Sequence, residues 1–211
     1  MKKLLIVIAF AFQAGLTHAQ FVANDLLLGG SVGFHSSKTE SKPDDFVTSG
    51  YTFNPQFLYM VNAGFGIGLN IGITGTKEKP SDDKTTELHF GPAFRLQGKP
   101  IEKASFYGQL NLNIGSGTDQ QKATYVGANG TINTYTRKDK YSSIGILVYP
   151  GVNYMISKHF YLDMSYGMLN YISRDNKPDD THDTTAKSFK TSGFEISFGL
   201  ESLRLGAIYK F

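Results

Sequence analysis

The stretch from Phe65 to Thr74 reads Phe-Gly-Ile-Gly-Leu-Asn-Ile-Gly-Ile-Thr, with an apolar residue at every odd position and Gly or a polar residue at every even one. A period of two residues places alternate side chains on opposite faces of an extended strand. Residues 88–97, 106–115 and 144–154 alternate in the same way. No stretch after residue 20 has a convincing period of 3.6 residues, so the sequence predicts an all-β fold.

The connections between the alternating segments differ systematically in length. Eight strands are predicted, at residues 26–36, 51–61, 65–75, 86–97, 105–116, 142–155, 160–171 and 191–211. The connections at 62–64, 98–104 and 156–159 are short, whereas those at 37–50, 76–85, 117–141 and 172–190 are long and hydrophilic. Transmembrane β-barrels have short periplasmic turns and long extracellular loops. We therefore predict an eight-stranded antiparallel up-and-down transmembrane β-barrel with short periplasmic turns and long extracellular loops.

Two features predict irregular pairing within this barrel. Pro55, Pro92 and Pro150 each lie six or seven residues before a short turn. Because a proline cannot donate to a strand ladder, we expect a ladder irregularity near each one. In the last strand the apolar positions change from even to odd numbers, which predicts a bulge near Glu201-Ser202.

The N-terminus has the order of a secretory signal. Lys2-Lys3 is followed by an apolar run from Leu4 to Phe12, and Thr17-His18-Ala19 places small residues where a signal peptidase reads. These nine apolar residues are too few to cross about 30 Å of hydrocarbon, which disfavours a membrane anchor. We expect residues 1–19 to be a signal peptide and residues 20–211 to be the outer-membrane β-barrel domain.

The composition of the 211-residue chain excludes several classes of protein. It has no Cys, which excludes disulfides and thiolate metal sites. Lys and Arg number 21 against 18 Asp and Glu, and removal of Lys2 and Lys3 lowers the net charge from +3 to +1. A nearly neutral chain gives no electrostatic support for nucleic-acid binding, so we expect no nucleic-acid partner.

Aromatic residues cluster beside the short turns. An aromatic girdle at the membrane interface predicts this placement. Ordinary enrichment of aromatics in strands is the alternative, but it does not explain clustering at the short turns alone. We expect the girdle to contain Tyr59, Phe65, Phe94, Phe106, Tyr154, Phe160, Tyr209 and Phe211.

Several short motifs occur together in one order along the chain. They are the signal at residues 1–19, Gly91-Pro92, the segment Pro150–Tyr154 and the terminal Tyr209-Lys210-Phe211. In these features the chain resembles the eight-stranded outer-membrane β-barrels of the OmpA/OmpX type. It is particularly similar to the porin family, or outer-membrane β-barrel domain proteins, of Bacteroidetes-like bacteria.

This resemblance covers essentially the whole chain after residue 19. It implies a location in the bacterial outer membrane, in contact with outer-membrane lipids. It also implies that Tyr209 and Phe211 form an assembly signal for the outer-membrane assembly machinery. The chain departs from full-length OmpA in that no peptidoglycan-binding domain is expected after Phe211.

The inward faces of the predicted strands carry charged residues. An eight-stranded barrel is just wide enough for its own side chains to fill, and charges buried there must pair. We therefore favour a side-chain-filled lumen over a conducting pore. The expected polar network comprises an ion-pair group in the periplasmic half, Arg95, Asp163 and Arg204, and a group nearer the exterior, Glu87, His89 and Glu195.

The histidines do not form a catalytic pattern. Some outer-membrane barrels are lipid A deacylases or palmitoyltransferases that use His, Ser and an acid. His35-Ser36-Ser37 and His182-Asp183-Thr184 lack the His-x-Ser-Asn signature of the deacylases. The acidic pairs at 44–45, 82–83 and 179–180 lack the spacing of a calcium loop. We expect no catalytic, cofactor-binding or metal site.

Four functional hypotheses follow. We favour a non-enzymatic barrel with a structural or adhesive role, whose extracellular loops are open to an unknown extracellular partner. A hairpin tip at Asn129-Gly130 would extend two strands beyond the membrane and expose edges suited to adhesion, and an inert surface projection is an equal alternative. A small porin for ions or small solutes and a lipid A-modifying enzyme are the alternatives. A secreted ligand-binding barrel is disfavoured because bulky apolar residues face outward.

Overall fold

The computed structural model describes residues 20–39, 46–126, 129–177 and 188–211. The acidic pairs at 44–45 and 179–180, the triplet at 182–184 and the segment 1–19 lie outside these residues. In the described part of the chain, no helix is long and apolar enough to span a membrane. The elements are β1 (Leu26–Thr39), β2 (Phe46–Asn62), β3 (Phe65–Lys79), β4 (Lys84–Gln97), β5 (Ala104–Val126), β6 (Ile132–Met155), β7 (Phe160–Ser165), β8 (Met168–Lys177), β9 (Phe189–Ser197), a 3₁₀ turn (Leu200–Ser202) and β10 (Arg204–Lys210).

Antiparallel pairing arranges these strands in a ring of eight positions. The strands from β1 to β6 each pair with the next along the chain. β6 then pairs with β7 in the periplasmic half and with β8 in the outer half. β10 pairs with both β7 and β1, which closes the periplasmic half. The predicted eight-stranded antiparallel barrel is confirmed, with its seventh and eighth positions each divided into two strands.

The outer half of the ring has an open seam between β1 and β9. β10 pairs with β1 only as far as Val32. β9 pairs with β8 along its whole length, from Phe189 to Ser197. Across the described residues, neither 189–196 of β9 nor 33–37 of β1 has a strand ladder on its other edge. Two open strand edges therefore border the outer lumen on one side.

The two faces of each strand differ as the period of two predicts. In β3, Ile67, Leu69 and Ile71 are exposed on the outer face, whereas Asn70 is buried in the lumen. β6 follows the same rule, with Ile144 outside and Ser143 inside. Because exposed aliphatic residues recur around the ring, the outer surface is an apolar belt of the kind that contacts lipid.

The strand ladders are interrupted beside each of the three prolines. Each proline pairs regularly with the preceding strand but loses its pair with the following one. The gaps fall at residues 54–55 of β2, 91–92 of β4 and 149–150 of β6. The predicted irregularities near Pro55, Pro92 and Pro150 are confirmed, because a proline has no N–H to donate across the gap.

Gly91 is required by the close approach of β4 to β5 at one of these gaps. A Cβ atom at this position would overlap the carbonyl oxygen of Leu112. No side chain tolerates such a contact, so residue 91 must be glycine. The next residue, Pro92, has no backbone N–H to donate. Together they let the two backbones cross closely where the ladder is broken.

The last two predicted strands are each broken in the middle. The segment predicted at 160–171 ends at Ser165 and resumes at Met168, because Gly167 adopts a φ of +82°. The segment predicted at 191–211 is interrupted by the 3₁₀ turn rather than by a single-residue bulge, although the change of face is as expected. The Ser202 hydroxyl donates to the Gly199 carbonyl at 2.7 Å and accepts from the Gly167 amide at 3.0 Å. The Ser202 hydroxyl thus links the strand break at Gly167 to the 3₁₀ turn.

Candidate functional site

Residues 20–25 fold back into the periplasmic end of the barrel. Phe21 is almost completely buried, and its ring centre lies 4.8 Å from that of Tyr161. We call the apolar cluster around it the periplasmic plug, formed by Phe21, Leu27, Leu58, Met60, Ala93, Tyr161 and Ile208. The sequence indicated a polar inner face and missed this cluster. The inward register of β2 was the available signal, since it continues from Gln56 through Leu58 to Met60.

The plug segment is fixed by backbone and side-chain hydrogen bonds. The Asn24 amide donates to the Met60 carbonyl at 2.8 Å, and the Met60 amide donates to the Asp25 carbonyl at 2.9 Å. Asp25 also caps the segment by accepting from the Val22 amide at 2.8 Å. Its carboxylate lies 3.4 Å from Nζ of Lys210 on the closing strand. The segment therefore joins β2 to β10 across the periplasmic mouth.

Above the plug, a buried polar layer is centred on Arg95 and Asp163. Arg95 is fully buried, and its Nη1 lies 3.8 Å from Oδ1 of Asp163. Asn153 bridges the two, because it accepts from Arg95 Nη1 at 3.5 Å and donates to Asp163 Oδ1 at 2.5 Å. The Tyr107 hydroxyl donates to Asp163 Oδ2 at 3.1 Å. Four side chains from four different strands therefore share one ionic contact.

The Nε donor of Arg95 and its guanidinium face extend the layer across the lumen. Its Nε donates to Oε1 of Gln109 at 2.8 Å, and its guanidinium carbon lies 3.9 Å from the centre of the Tyr107 ring. Gln109 in turn donates to Gln56 at 3.0 Å and to Asn111 at 2.9 Å. The layer leaves little free cross-section in the periplasmic half, as an eight-stranded ring requires.

Arg204 does not join the expected three-residue network. Its guanidinium lies 5.3 Å from the centre of the Tyr149 ring, and Nη2 lies 3.6 Å from the sulfur of Met168. In the ladder between β10 and β7, Gly206 pairs with Asp163, whereas Arg204 pairs with Ser165, two residues farther toward the exterior. Arg204 lines the outer cavity instead.

Glu87 is the centre of a second polar cluster in the outer half. Its carboxylate accepts from the Tyr141 hydroxyl at 3.0 Å and from Ser143 at 2.8 Å. Arg174 donates to the same carboxylate at 3.0 Å and completes an ion pair. Sequence reasoning missed Arg174 because it was assigned to a loop. Extending the alternation of β8 outward from Asn170 would have placed it inside the barrel.

A cavity of about 340 Å³ occupies the outer half of the lumen. His89 and Glu195 border it together with Glu87. His35, predicted only at the outer end of a strand, also lines it. The Arg95 layer and the plug lie beneath this cavity. The lumen is therefore an outward-facing pocket above a filled periplasmic half.

The residues expected in the aromatic girdle lie around the periplasmic turns. Phe65 and Phe94 are half-buried, whereas the other six are exposed. Tyr209 pairs in register with Phe160, and its ring centre lies 4.8 Å from that of Phe211. His159 stacks on the other side of Tyr209, at 6.0 Å between ring centres. These contacts form a continuous aromatic rim where β10 meets β7.

β5 and β6 form a hairpin that extends beyond all its neighbours. The two strands pair without interruption from Ala104 with Tyr154 to Val126 with Ile132. The last pair with β4 is at Gln120, and the last pair with β8 is at Lys140. We call residues 121–126 and 132–139 the outer arm. At about 3.3 Å per residue its six-residue strand projects roughly 20 Å beyond β4.

At the tip of the outer arm, the structure describes Asn129, Gly130 and Thr131. Gly130 adopts a φ of +78°. Oδ1 of Asn129 accepts from the Thr131 hydroxyl at 2.6 Å and from the Thr131 amide at 3.4 Å. Side-chain-to-backbone bonds of this kind are typical of Asn at turns.

The turn between β3 and β4 holds the base of the outer arm. Asp82 lies between two lysines, 3.0 Å from Lys77 Nζ and 3.1 Å from Lys122 Nζ. Asp83 accepts from the Lys122 amide at 3.2 Å. Hydrogen bonding to Lys77 and then to Lys122 lowers the pKa of Asp82 to about 2. This acidic pair therefore serves as an ionic tether between the turn and the arm.

The described residues contain no cluster of three or more His, Asp or Glu side chains arranged to hold a metal ion. His35 and His89 both face the cavity, and His159 lies at a periplasmic turn, where its Nδ1 is 2.8 Å from the Lys210 carbonyl oxygen. These three histidines are therefore divided between the two ends of the barrel.

A ring of eight antiparallel strands with an apolar belt, an aromatic rim and a filled polar lumen defines a bacterial outer-membrane β-barrel. Residues 8–201 match the family model described as "Outer membrane protein beta-barrel domain". The chain belongs to this family, and its location is the bacterial outer membrane, in contact with outer-membrane lipids.

Solved structures of outer-membrane proteins are similar in fold. A major outer membrane protein from Thermus thermophilus has a TM-score of 0.53 at 9% identity, covering 90% of this chain and 100% of that one. OprG from Pseudomonas aeruginosa has a TM-score of 0.48 at 15% identity, covering 92% and 99%. Neisserial surface protein A has a TM-score of 0.44 at 15% identity, covering 89% and 97%. No curated protein sequence matches the chain.

Proposed function

We propose that this barrel acts through its extracellular surface, as a structural or adhesive protein that conducts no solute and catalyses no reaction. The outer arm is the observation that carries the proposal. Within the described residues, its strands form a ladder only with each other beyond Gln120 and Lys140. A two-stranded ribbon of this kind presents two open strand edges to the exterior, at residues 123–125 and 132–134.

An extended peptide is the partner chemistry that such edges suit. Main-chain N–H and C=O groups on an open edge pair with a segment of another protein by strand addition. Ile132 is 75% exposed near the tip and offers an apolar contact for alternate side chains of that segment. The ionic tether at Asp82 holds the base of the arm to the barrel. A force on a bound partner is therefore transmitted to the membrane-embedded strands.

The filled periplasmic half supports the non-conducting part of the proposal. A solute would have to displace the Arg95–Asp163 layer and then the plug at Phe21. Leaving either charge buried without its partner costs about 3–5 kcal/mol. An open pathway therefore requires the loss of two successive layers.

We also propose that the outer-membrane assembly machinery reads β10. The side chains of Tyr209 and Phe211 are exposed on the outer face of the strand that closes the ring. An exposed aromatic end on the last strand is available to a receptor before the ring closes.

Cell adherence with and without the outer arm tests the proposal. Replacing residues 122–136 by Asn-Gly joins the paired residues Gln121 and Arg137 through a two-residue hairpin turn. Cells that display this variant should lose adherence to a surface that the wild-type protein binds. The heat-dependent gel shift of the barrel should remain.

A second variant of full length tests whether adherence depends on the strand edges rather than on the presence of the arm. Ile132→Lys with Thr134→Lys keeps the arm's length but places charges along one edge, which blocks strand addition. This variant should also lose adherence. If the shortened variant adheres like the wild type, the arm is not the interaction surface. If only the lysine variant does, the arm does not act by strand addition at this edge.

A further inference from the structure

Gln20 is the first described residue, and its side chain is buried in the periplasmic mouth. It is 6% exposed. Its Oε1 accepts a hydrogen bond from the Ser105 hydroxyl at 2.7 Å. Its carbonyl oxygen accepts from the Tyr161 hydroxyl at 3.0 Å and from Lys210 Nζ at 3.1 Å. The oxygen atoms of Gln20 are therefore well paired.

The amide nitrogen of Gln20 has no such partner. Nε2 is buried, and no acceptor among the described residues lies within hydrogen-bond distance of it. A buried polar group without a hydrogen bond costs about 1–3 kcal/mol. The site accommodates the side-chain carbonyl of Gln20 but gives its NH₂ group nothing to donate to.

A free amino group on Gln20 would also be unfavourable here. Backbone dimensions place the nitrogen of a residue within about 4 Å of its own carbonyl oxygen. Because Lys210 Nζ is 3.1 Å from that oxygen, a protonated α-amine would lie within about 7 Å of a second ammonium group. The Asp25 carboxylate that could compensate is already 3.4 Å from Lys210 Nζ.

We propose that Gln20 becomes the N-terminal residue on cleavage after Ala19 and then cyclises to pyroglutamate. The α-amine attacks Cδ of the Gln20 side chain, and a new N–Cδ bond closes a five-membered lactam. The Cδ–Nε2 bond breaks, a proton passes from the amine to Nε2, and ammonia leaves. No oxidant, reductant or other co-reactant is needed.

The lactam suits the buried site better than glutamine does. It is neutral, so no charge faces Lys210. It retains a carbonyl oxygen that can accept a hydrogen bond, as Oε1 of Gln20 does from Ser105, and it eliminates the unpaired NH₂ group. Phe21 follows directly and stays anchored in the plug, so the modified residue seals the periplasmic end of the barrel.

Mass spectrometry and N-terminal sequencing of the protein from outer membranes test the proposal. The expected mass is that of residues 20–211 less one molecule of ammonia. Edman degradation should give no sequence until a pyroglutamyl aminopeptidase removes the lactam and exposes Phe21. A free amine on Gln20, or an N-terminus at another residue, would overturn the proposal.

Gln20→Asn is the matched control. Asn keeps the amide but is one methylene shorter, so its lactam would be a strained four-membered ring. This variant should carry a free N-terminus that sequences directly, with no loss of ammonia. Equal blocking of both proteins would mean that the modification is not the proposed lactam. Neither the mass nor the N-terminal sequence depends on adherence. These results are therefore independent of the function proposed for the outer arm.

Discussion

Arg95 and Asp163 face each other across the lumen, with 3.8 Å between Nη1 and Oδ1, and Asn153 completes the contact from a third strand. The pair is sealed from solvent, since Arg95 is 0% and Asp163 5% exposed. Its geometry makes the two charges mutually dependent, because neither has a second partner of opposite charge in the described residues.

Removing one of these charges should destabilise the barrel strongly. Asp163→Asn leaves Arg95 buried without its counter-ion, which costs about 3–5 kcal/mol. The urea midpoint of unfolding, followed by the heat-dependent gel shift, should fall. The double variant Arg95→Met with Asp163→Leu should recover most of the loss, because no unpaired charge remains. Equal midpoints for Asp163→Asn and the wild type would contradict the pairing.

The Arg95–Asp163 layer and the periplasmic plug should prevent ion conduction through the barrel. Wild-type protein in planar bilayers should give no steady single-channel steps. Deleting residues 20–24 removes Phe21 from the plug but leaves the Arg95 layer intact, so conductance should stay absent. Deletion combined with Arg95→Ala and Asp163→Ala should produce steps. Stable ion-selective steps from the wild type would favour the porin hypothesis instead.

Asp82 should titrate far below an ordinary aspartate. Its pKa is about 2 in the folded protein, against 3.8 for an unperturbed aspartate. Because the folded pKa is the lower one, the tether is fully formed above pH 3.8 and is lost as the pH falls through about 2. Carboxyl ¹³C chemical shifts should report this midpoint. Lys77→Met should raise it, whereas a midpoint near 3.8 in the wild type would show that the lysines do not contact Asp82.

The open seam should make β9 exchange its amide protons faster than β10. Among the described residues β9 has a strand ladder on one side only, whereas β10 pairs with both β1 and β7. Hydrogen exchange in lipid nanodiscs should therefore show less protection for Ile196 than for Ile208. β7, which pairs on both sides, provides the internal reference. Equal protection of β9 and β10 would mean that the seam is closed in a bilayer.

The sequence predicted the features that depend on local periodicity and on single residues with fixed chemistry. Alternation placed the faces of β3 and β6, and the missing N–H of Pro55, Pro92 and Pro150 placed the ladder gaps. The asymmetry of the connections predicted the membrane location. These signals are local, so each can be interpreted without knowing where the other strands lie.

Sequence reasoning missed the features that depend on how separate segments of the chain lie against one another. The position of Arg204 depends on the register between β10 and β7, which pairs it with Ser165 rather than with Asp163, and alternation within one strand does not give that register. Phe21 lies outside any strand, so no period marks it as a plug residue. Gly167 is one of many glycines in the chain, and only its positive φ distinguishes it as a strand break.

The ladder gaps fall between every second pair of strands, whereas β1 with β2, β3 with β4 and β5 with β6 pair without a gap. This part of the barrel therefore consists of three continuous hairpins joined by ladders that each lack two residues. A pull on the outer arm is transmitted through β5 and β6 together, so it should separate them from β4 and β8 before it separates them from each other.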